Sequence, residues 1–178
     1  MKVMPSAQKP SVAYVGMGSN LGDRKRNLRE GLKAIEASDD INLIKVSSLY
    51  LTRPIEVSGS QNDYLNAVVK IETTLTPESL LDSLKEIEQR LGRKVDSHLE
   101  PRSLDLDILL YDYLVMETES LTLPHPRLTG REFVLAPLLE VESELENPID
   151  GVKLSVYYEK LKGSQGASLF EDDTWWRG

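Results

Sequence analysis

Hydrophobic and polar positions alternate along several short stretches of this chain and recur at helical spacing between them. Residues 12–15 read as a short buried strand running into a glycine-rich turn, Gly16-Met17-Gly18-Ser19-Asn20-Leu21-Gly22-Asp23. Its glycines permit close backbone approach and positive φ, and Asp23 offers an N-cap. Leu28, Leu32 and Ile35 then fall on one helical face. A second strand is expected over residues 41–52, ended by Arg53-Pro54, and a third over 64–73. In the third, Leu65, Ala67, Val69 and Ile71 alternate with Tyr64, Asn66, Val68 and Lys70. Thr76, Pro77 and Glu78 open a second helix with a capping hydroxyl, a proline and an early acid; Leu80, Leu84, Ile87 and Leu91 form its stripe, and Gly92 ends it. A fourth strand is expected within residues 101–112, with Leu104, Leu106, Ile108 and Leu110 on one face and Ser103, Asp105, Asp107 and Leu109 on the other. A hairpin, the segment Leu123-Pro124-His125-Pro126-Arg127 and a helix over residues 129–140 follow.

The order strand, helix, strand, strand, helix, strand predicts an α+β fold, a ferredoxin-like plait (βαββαβ) with a C-terminal helical and loop extension. Both helices of such a plait cover one face of the sheet, so the mixed faces of the strands should share the other, left open. That brings Tyr64, Asn66, Asp105 and Asp107 together. Residues 1–10 read as a flexible N-terminus, 11–140 as the main domain, and 141–178 as an extension packed on it or trailing from it.

Two carboxylates roughly 7 Å apart on one strand face repel each other. Taken alone, Asp105-Leu106-Asp107 reads first as a solvated face, and the glycine turn as a structural turn, since it matches neither dinucleotide nor Walker patterns. A hard divalent cation is the alternative, because Mg²⁺ takes one or two carboxylates and completes its shell with substrate phosphates. The surrounding Arg93, Lys94, Arg102, Arg127 and Arg131 favour that alternative in a chain of net charge −8. The same net charge argues against nucleic-acid binding. Cysteine is absent, which removes thiolate chemistry and disulfides, and the two histidines cannot make a His-rich metal site. No apolar run reaches membrane length, so no membrane partner is expected; a reducing cytoplasm is the default location, and a monomer is expected.

Together, Gly18-Ser19-Asn20-Leu21-Gly22-Asp23, Asp63-Tyr64-Leu65-Asn66, Glu88 with Gly92-Arg93, Pro101-Arg102-Ser103-Leu104-Asp105-Leu106-Asp107-Ile108, and Leu123-Pro124-His125-Pro126-Arg127 with Arg131 and Phe133 resemble the 6-hydroxymethyl-7,8-dihydropterin pyrophosphokinases of folate biosynthesis. The resemblance runs over residues 12–139. It implies transfer of the pyrophosphoryl group of ATP to the pterin hydroxymethyl, with release of AMP. By it, Asp105 and Asp107 would hold two Mg²⁺ ions, and Arg93 and Arg102 would neutralise the transferred group. Glu88, Arg102, Ile108, His125 and Arg131 would bind ATP; Thr52, Ile55, Tyr64, Asn66 and Phe133 would bind the pterin. Asn66 suits an amide-like ring edge because it carries both a donor and an acceptor. One loop departs from the family: His98, Leu99 and Glu100 stand where a basic residue, an aromatic lid and a glycine are usual, and Val95 where a further arginine is common. A weaker lid would raise Michaelis constants or slow turnover. The rival readings are a ferredoxin-like regulatory module that binds a ligand or metal without turnover, and a catalytically impaired relic.

Overall fold

The computed structural model describes residues 9–54, 62–92 and 102–177. A mixed α/β architecture results, built on an antiparallel sheet. In chain order the elements are β1 (Ser11–Ser19), α1 (Arg24–Glu36), β2 (Ile41–Val46), β3 (Leu49–Thr52), β4 (Tyr64–Thr73), α2 (Pro77–Arg90) and β5 (Asp105–Tyr111). A small hairpin, β6 (Met116–Glu117) and β7 (Thr122–Leu123), leads to a 3₁₀ turn (Leu128–Gly130), α3 (Glu132–Val141), α4 (Leu154–Leu161) and β8 (Ser168–Glu171).

The sheet runs β5-β1-β4-β3-β8, and β2 also pairs with β4. The strand expected over residues 41–52 is therefore one ribbon broken between Val46 and Leu49. Ser47 makes the break, where its hydroxyl accepts from the Val68 N–H at 2.9 Å. Both helix starts follow from their caps: Asp23 accepts from the Arg26 N–H at 3.0 Å, and Thr76 from the Ser79 N–H at 3.2 Å ahead of Pro77. Gly92, at φ +98°, closes α2.

One core lies between the sheet and α1 with α2, where Val15, Met17, Val69, Ile71, Leu104 and Leu106 meet Leu28, Leu32, Leu80 and Leu84. At Gly31 a Cβ would come within 2.8 Å of the Leu104 side chain, so this glycine lets α1 lie close against the sheet. A second core on the opposite face packs Tyr14, Val68, Leu109 and Leu110 against Leu135, Leu138, Val141 and Leu154. That face is thus half covered by α3 and α4, where the strand pattern leaves it open throughout.

The strict alternation expected for β5 also fails at one point. Val15 of β1 pairs with Ile108 but Tyr14 pairs with Leu110, so Leu109 is an extra residue, a β-bulge. Beyond it Leu110 joins Leu109 in the second core, and Tyr111 turns to the first. The C-terminal stretch is docked. β8 adds to the edge of β3, and the buried Trp175 donates its indole N–H to the Ser47 carbonyl at 2.8 Å. Among the described residues no helix is long and apolar enough to cross a membrane.

Candidate functional site

The register of β1 with its two neighbours sets side chains on the α3 side of the sheet into rows. Gly18 pairs with Asn66 on β4 and Asp105 on β5; Gly16 pairs with Val68 and Asp107; Tyr14 pairs with Lys70 and Leu110. The last row lies under α3. The second is shared, with Val68 in the second core and Asp107 at its edge, and the first lies beyond the described residues of that core, so that the carboxylates stand on one flank of β1 and the Asn66 amide on the other. β1 runs straight through Gly16 and Gly18, so only the later part of the glycine motif is a turn, with Gly22 at φ +63°.

Asn20, in that turn, is fully buried and holds the approach to β5 from both sides. Its N–H donates to the Arg102 carbonyl at 3.1 Å, and its Oδ1 accepts from the Arg102 N–H at 2.7 Å. A polar residue between glycines was the available signal for this clamp, but its partner is 82 residues away. Arg102, so fixed, reaches Asp105 at 3.0 Å.

Asp107 is half-buried, and its pKa is pushed up to about 7 by desolvation first, then by the Asp105 and Glu88 carboxylates, against the pull of Arg131 and Arg102. Glu88 is buried behind the strand, where its Oε1 accepts from the Leu106 N–H at 2.6 Å between the two aspartates. Ile108 turns its side chain into the helix-side core. The alternation that sends the Leu106 N–H outward sends that of Ile108 the same way, along the outer edge of β5.

His125 is brought in by the bulge: its N–H donates to the Leu109 carbonyl at 2.9 Å. Its Nδ1 accepts from the Arg127 N–H at 3.1 Å, which leaves the proton on Nε2. Burial, then Arg131 and Arg127, lower its pKa to about 4, so the ring is a neutral donor at physiological pH. The Arg131 guanidinium lies over the Phe133 ring at 5.4 Å, an aromatic face and a cation side by side.

Across β1, Asn66 donates Nδ2–H to the Thr52 hydroxyl at 2.8 Å, which fixes the amide's orientation. Desolvation raises the Tyr64 phenol pKa, with Arg102 lowering and Asp105 raising it, so this ring sits in the field of both. Arg102, Asp105, Asp107, His125, Arg131, Tyr64, Asn66 and Thr52 thus belong to one end of one face. Arg93 and Ile55 lie outside the described residues, as do Lys94, Val95, His98, Leu99 and Glu100.

Among the described residues no three ligating side chains gather in a metal cage. Two acids side by side, one of them holding its proton chiefly through burial and then through its neighbours' charge, fit a hard cation that draws its other ligands from phosphate and water.

The sequence model of 7,8-dihydro-6-hydroxymethylpterin-pyrophosphokinase matches residues 14–143. The chain belongs to that family. The pyrophosphokinase of Bacillus subtilis, 2-amino-4-hydroxy-6-hydroxymethyldihydropteridine pyrophosphokinase, is 42% identical over 136 residues, covering 76% of this chain and 81% of that protein. Folic acid synthesis protein fol1 of Schizosaccharomyces pombe is 40% identical over 162 residues, 91% of this chain but 22% of that protein. The chain therefore spans about a fifth of the length of its fungal relatives. A solved Plasmodium falciparum HPPK-DHPS triple mutant shares the fold at a TM-score of 0.70 and 14% identity, over 92% of this chain and 46% of that one.

Proposed function

We propose that the chain is a 6-hydroxymethyl-7,8-dihydropterin pyrophosphokinase of folate biosynthesis, moving the β,γ-pyrophosphoryl group of ATP to the pterin alcohol. The alcohol oxygen bonds to the β phosphorus, the bond from that phosphorus to the α,β-bridging oxygen breaks, AMP leaves, and the hydroxyl proton passes to solvent. One arrangement carries this reading: Asp105 faces Asn66 across Gly18, with Asp107 one row further along the same strand face. Acid for a metal-nucleotide complex and an amide for a heterocycle thus meet on a single row. The strand order, with β2 and β3 counted as one ribbon, supports reading the core as a ferredoxin-like plait to which β8 is added.

Asp105 and Asp107 would hold two Mg²⁺ ions through carboxylate oxygens, with ATP phosphates as the remaining ligands. Bound there, the ions would neutralise phosphate charge and make the attacking hydroxyl more acidic. Arg102 supplies fixed positive charge beside them, held in place by Asn20. The neutral His125 donates from Nε2, and Arg131 adds a guanidinium for phosphate oxygens. Ile108 can serve ATP through its main chain on the β5 edge. Glu88 acts through the strand, since its carboxylate anchors Leu106 between the two acids. Asn66, oriented by Thr52, takes the pterin's amide-like edge, and Tyr64 with Phe133 supplies ring faces. Arg93 and Ile55 keep the roles that the sequence motif gives them.

Phosphorus NMR of the protein with ATP, Mg²⁺ and 6-hydroxymethyl-7,8-dihydropterin tests the reaction. Pterin-dependent AMP and a pyrophosphorylated pterin are expected. Survival of both substrates at high enzyme concentration, or release of ADP, would overturn the assignment.

A further inference from the structure

An arginine that reaches for phosphate gains from a backbone held in place, since its long side chain has much freedom to lose. Arg102 is held by Asn20, whose Oδ1 accepts from the Arg102 N–H and whose own N–H donates to the Arg102 carbonyl. Arg131 starts from a weaker position. It is the N-cap residue of α3, extended at φ −124° and ψ 111°, and its own side chain makes no capping hydrogen bond. The first N–H groups of a helix have no partner within it, so a cap must come from elsewhere.

It comes from 33 residues further along the chain. Gln165 Oε1 accepts from the Glu132 N–H at 2.9 Å, 33 residues back, and Gln165 Nε2 donates to the Gly130 carbonyl at 2.8 Å. One side-chain amide, donor and acceptor together, thus pairs with the peptide group on each side of Arg131. The Arg131 carbonyl is engaged as well, accepting from the Val134 and Leu135 N–H groups. Glu132 returns the hold. Its carboxylate, at 2% exposure, accepts from the N–H groups of Gly163 at 2.5 Å and Gln165 at 2.9 Å. A buried carboxylate needs such donors, and no step of the pyrophosphoryl transfer uses it. Gly163 at φ +78° and Gly166 at φ +73° let the loop after α4 fold back onto the start of α3. The guanidinium whose backbone is so bracketed lies over the Phe133 ring, and its charge acts on both Asp107 and His125.

We propose that Gln165 is a positioning residue for the nucleotide: its amide brackets the Arg131 backbone and Glu132 locks it there, so the guanidinium is presented to the phosphates from a fixed origin. This inference rests on the pyrophosphokinase reading and gives the C-terminal extension a part in it.

Gln165→Met keeps the length of the side chain and removes both polar atoms. The test is a double-mutant cycle with Arg131→Ala, read as the affinity of α,β-methylene-ATP with Mg²⁺ by calorimetry, below the melting temperature of every variant. Gln165→Met is expected to weaken analogue binding about 5- to 30-fold, part of the worth of a charged hydrogen bond. In the Arg131→Ala background the same change should cost less than about twofold. Tyr157→Phe, which removes a hydrogen bond to Asp150 elsewhere in the extension, should leave the affinity within about twofold. A full Gln165→Met penalty in the Arg131→Ala background would overturn the inference, because the glutamine would then brace the extension rather than the arginine. So would an unchanged affinity in Gln165→Met, or an equal loss in Tyr157→Phe. A wild type that neither binds the analogue nor forms AMP from ATP and the pterin ends the pyrophosphokinase reading itself, and this inference with it.

Discussion

Tyr14 and Gly18 lie four residues apart on one face of β1, and the rows through them have been put to opposite uses. Around Tyr14 the neighbours are Lys70 and Leu110, and α3 and α4 close over them with Leu135, Leu138 and Leu154. Around Gly18 the neighbours are Asn66 and Asp105 with the Tyr64 ring beside them, and none of these belongs to the second core. The boundary is Leu109. As an extra residue in β5 it packs into the covered half, lies over Gly16, and frees a carbonyl that draws in His125. A single bulge thus ends the core and begins the site. The difference teaches that the site is the part of the sheet where the apolar side chains of the second core give way to carboxylates and an amide.

That replacement has a thermodynamic sign. Asp107 is held partly protonated by burial and by Asp105 and Glu88, so in the metal-free protein its ionisation opposes folding. Asp107→Asn should therefore break the comparison most sharply. Turnover, followed as AMP formed, should fall by about 10³-fold or more if, as proposed, the two aspartates are the cation ligands, since that donor set is then halved. The same variant without metal at pH 8 should melt higher than wild type, by on the order of 2 kcal/mol once solvent screening at the half-buried carboxyl is allowed for. Loss of activity with loss of stability would mean that Asp107 is a packing residue like those under α3.

The covered half should give the reverse. Leu110 is 1% exposed and lies among side chains of α3 and α4. Leu110→Ala should cost about 2–4 kcal/mol in urea unfolding. Its kcat/KM for pterin should stay close to wild type wherever the variant is folded. A selective rise in the pterin KM would show that the two halves are not separate and that the second core shapes the site.

Much of this division can be read from the sequence. Alternation in residues 64–73 places Asn66 and Val68 on one face, and the two aspartates declare theirs in the same way. Caps and helix stripes follow from local rules. What cannot be read are the events decided by partners far along the chain. The bulge at Leu109 has no local signature, because leucine suits either face, and it alone sends Leu110 away from the face that period two assigns. The Asn20 clamp joins two loops. Trp175 reaches the Ser47 carbonyl 128 residues back, so a tail of Asp, Thr and Trp turns out to fill core. Glu88 reads as a helix-edge acid, yet its backbone partner on β5 makes it buried structure.

The smallest effect expected is also the most diagnostic of the site half. Asp107 and His125 are both buried against their charges, and their linkages to pH oppose each other. Asp107 has its folded pKa raised to about 7, so from about pH 4 upward the native protein holds a proton that the unfolded chain has released. Stability from this group falls as pH rises to 7. His125 has its folded pKa lowered to about 4, so below about pH 6.5 the unfolded chain takes a proton that the native ring refuses. Stability from this group rises as pH goes from 4 to 6.5. In that window the two slopes offset one another, and metal-free wild type should show little pH dependence from this end of the sheet. Each single variant should uncover the other's slope in melting scans with chelator. Asp107→Asn should gain stability relative to wild type as pH rises from 4.5 to 6.5, by on the order of 1–2 kcal/mol after screening; His125→Gln should lose a similar amount over the same range. Parallel curves for wild type and both variants would mean that these groups titrate as they do in the unfolded chain, and that the uncovered half of the sheet is as open to water as its exposed edges.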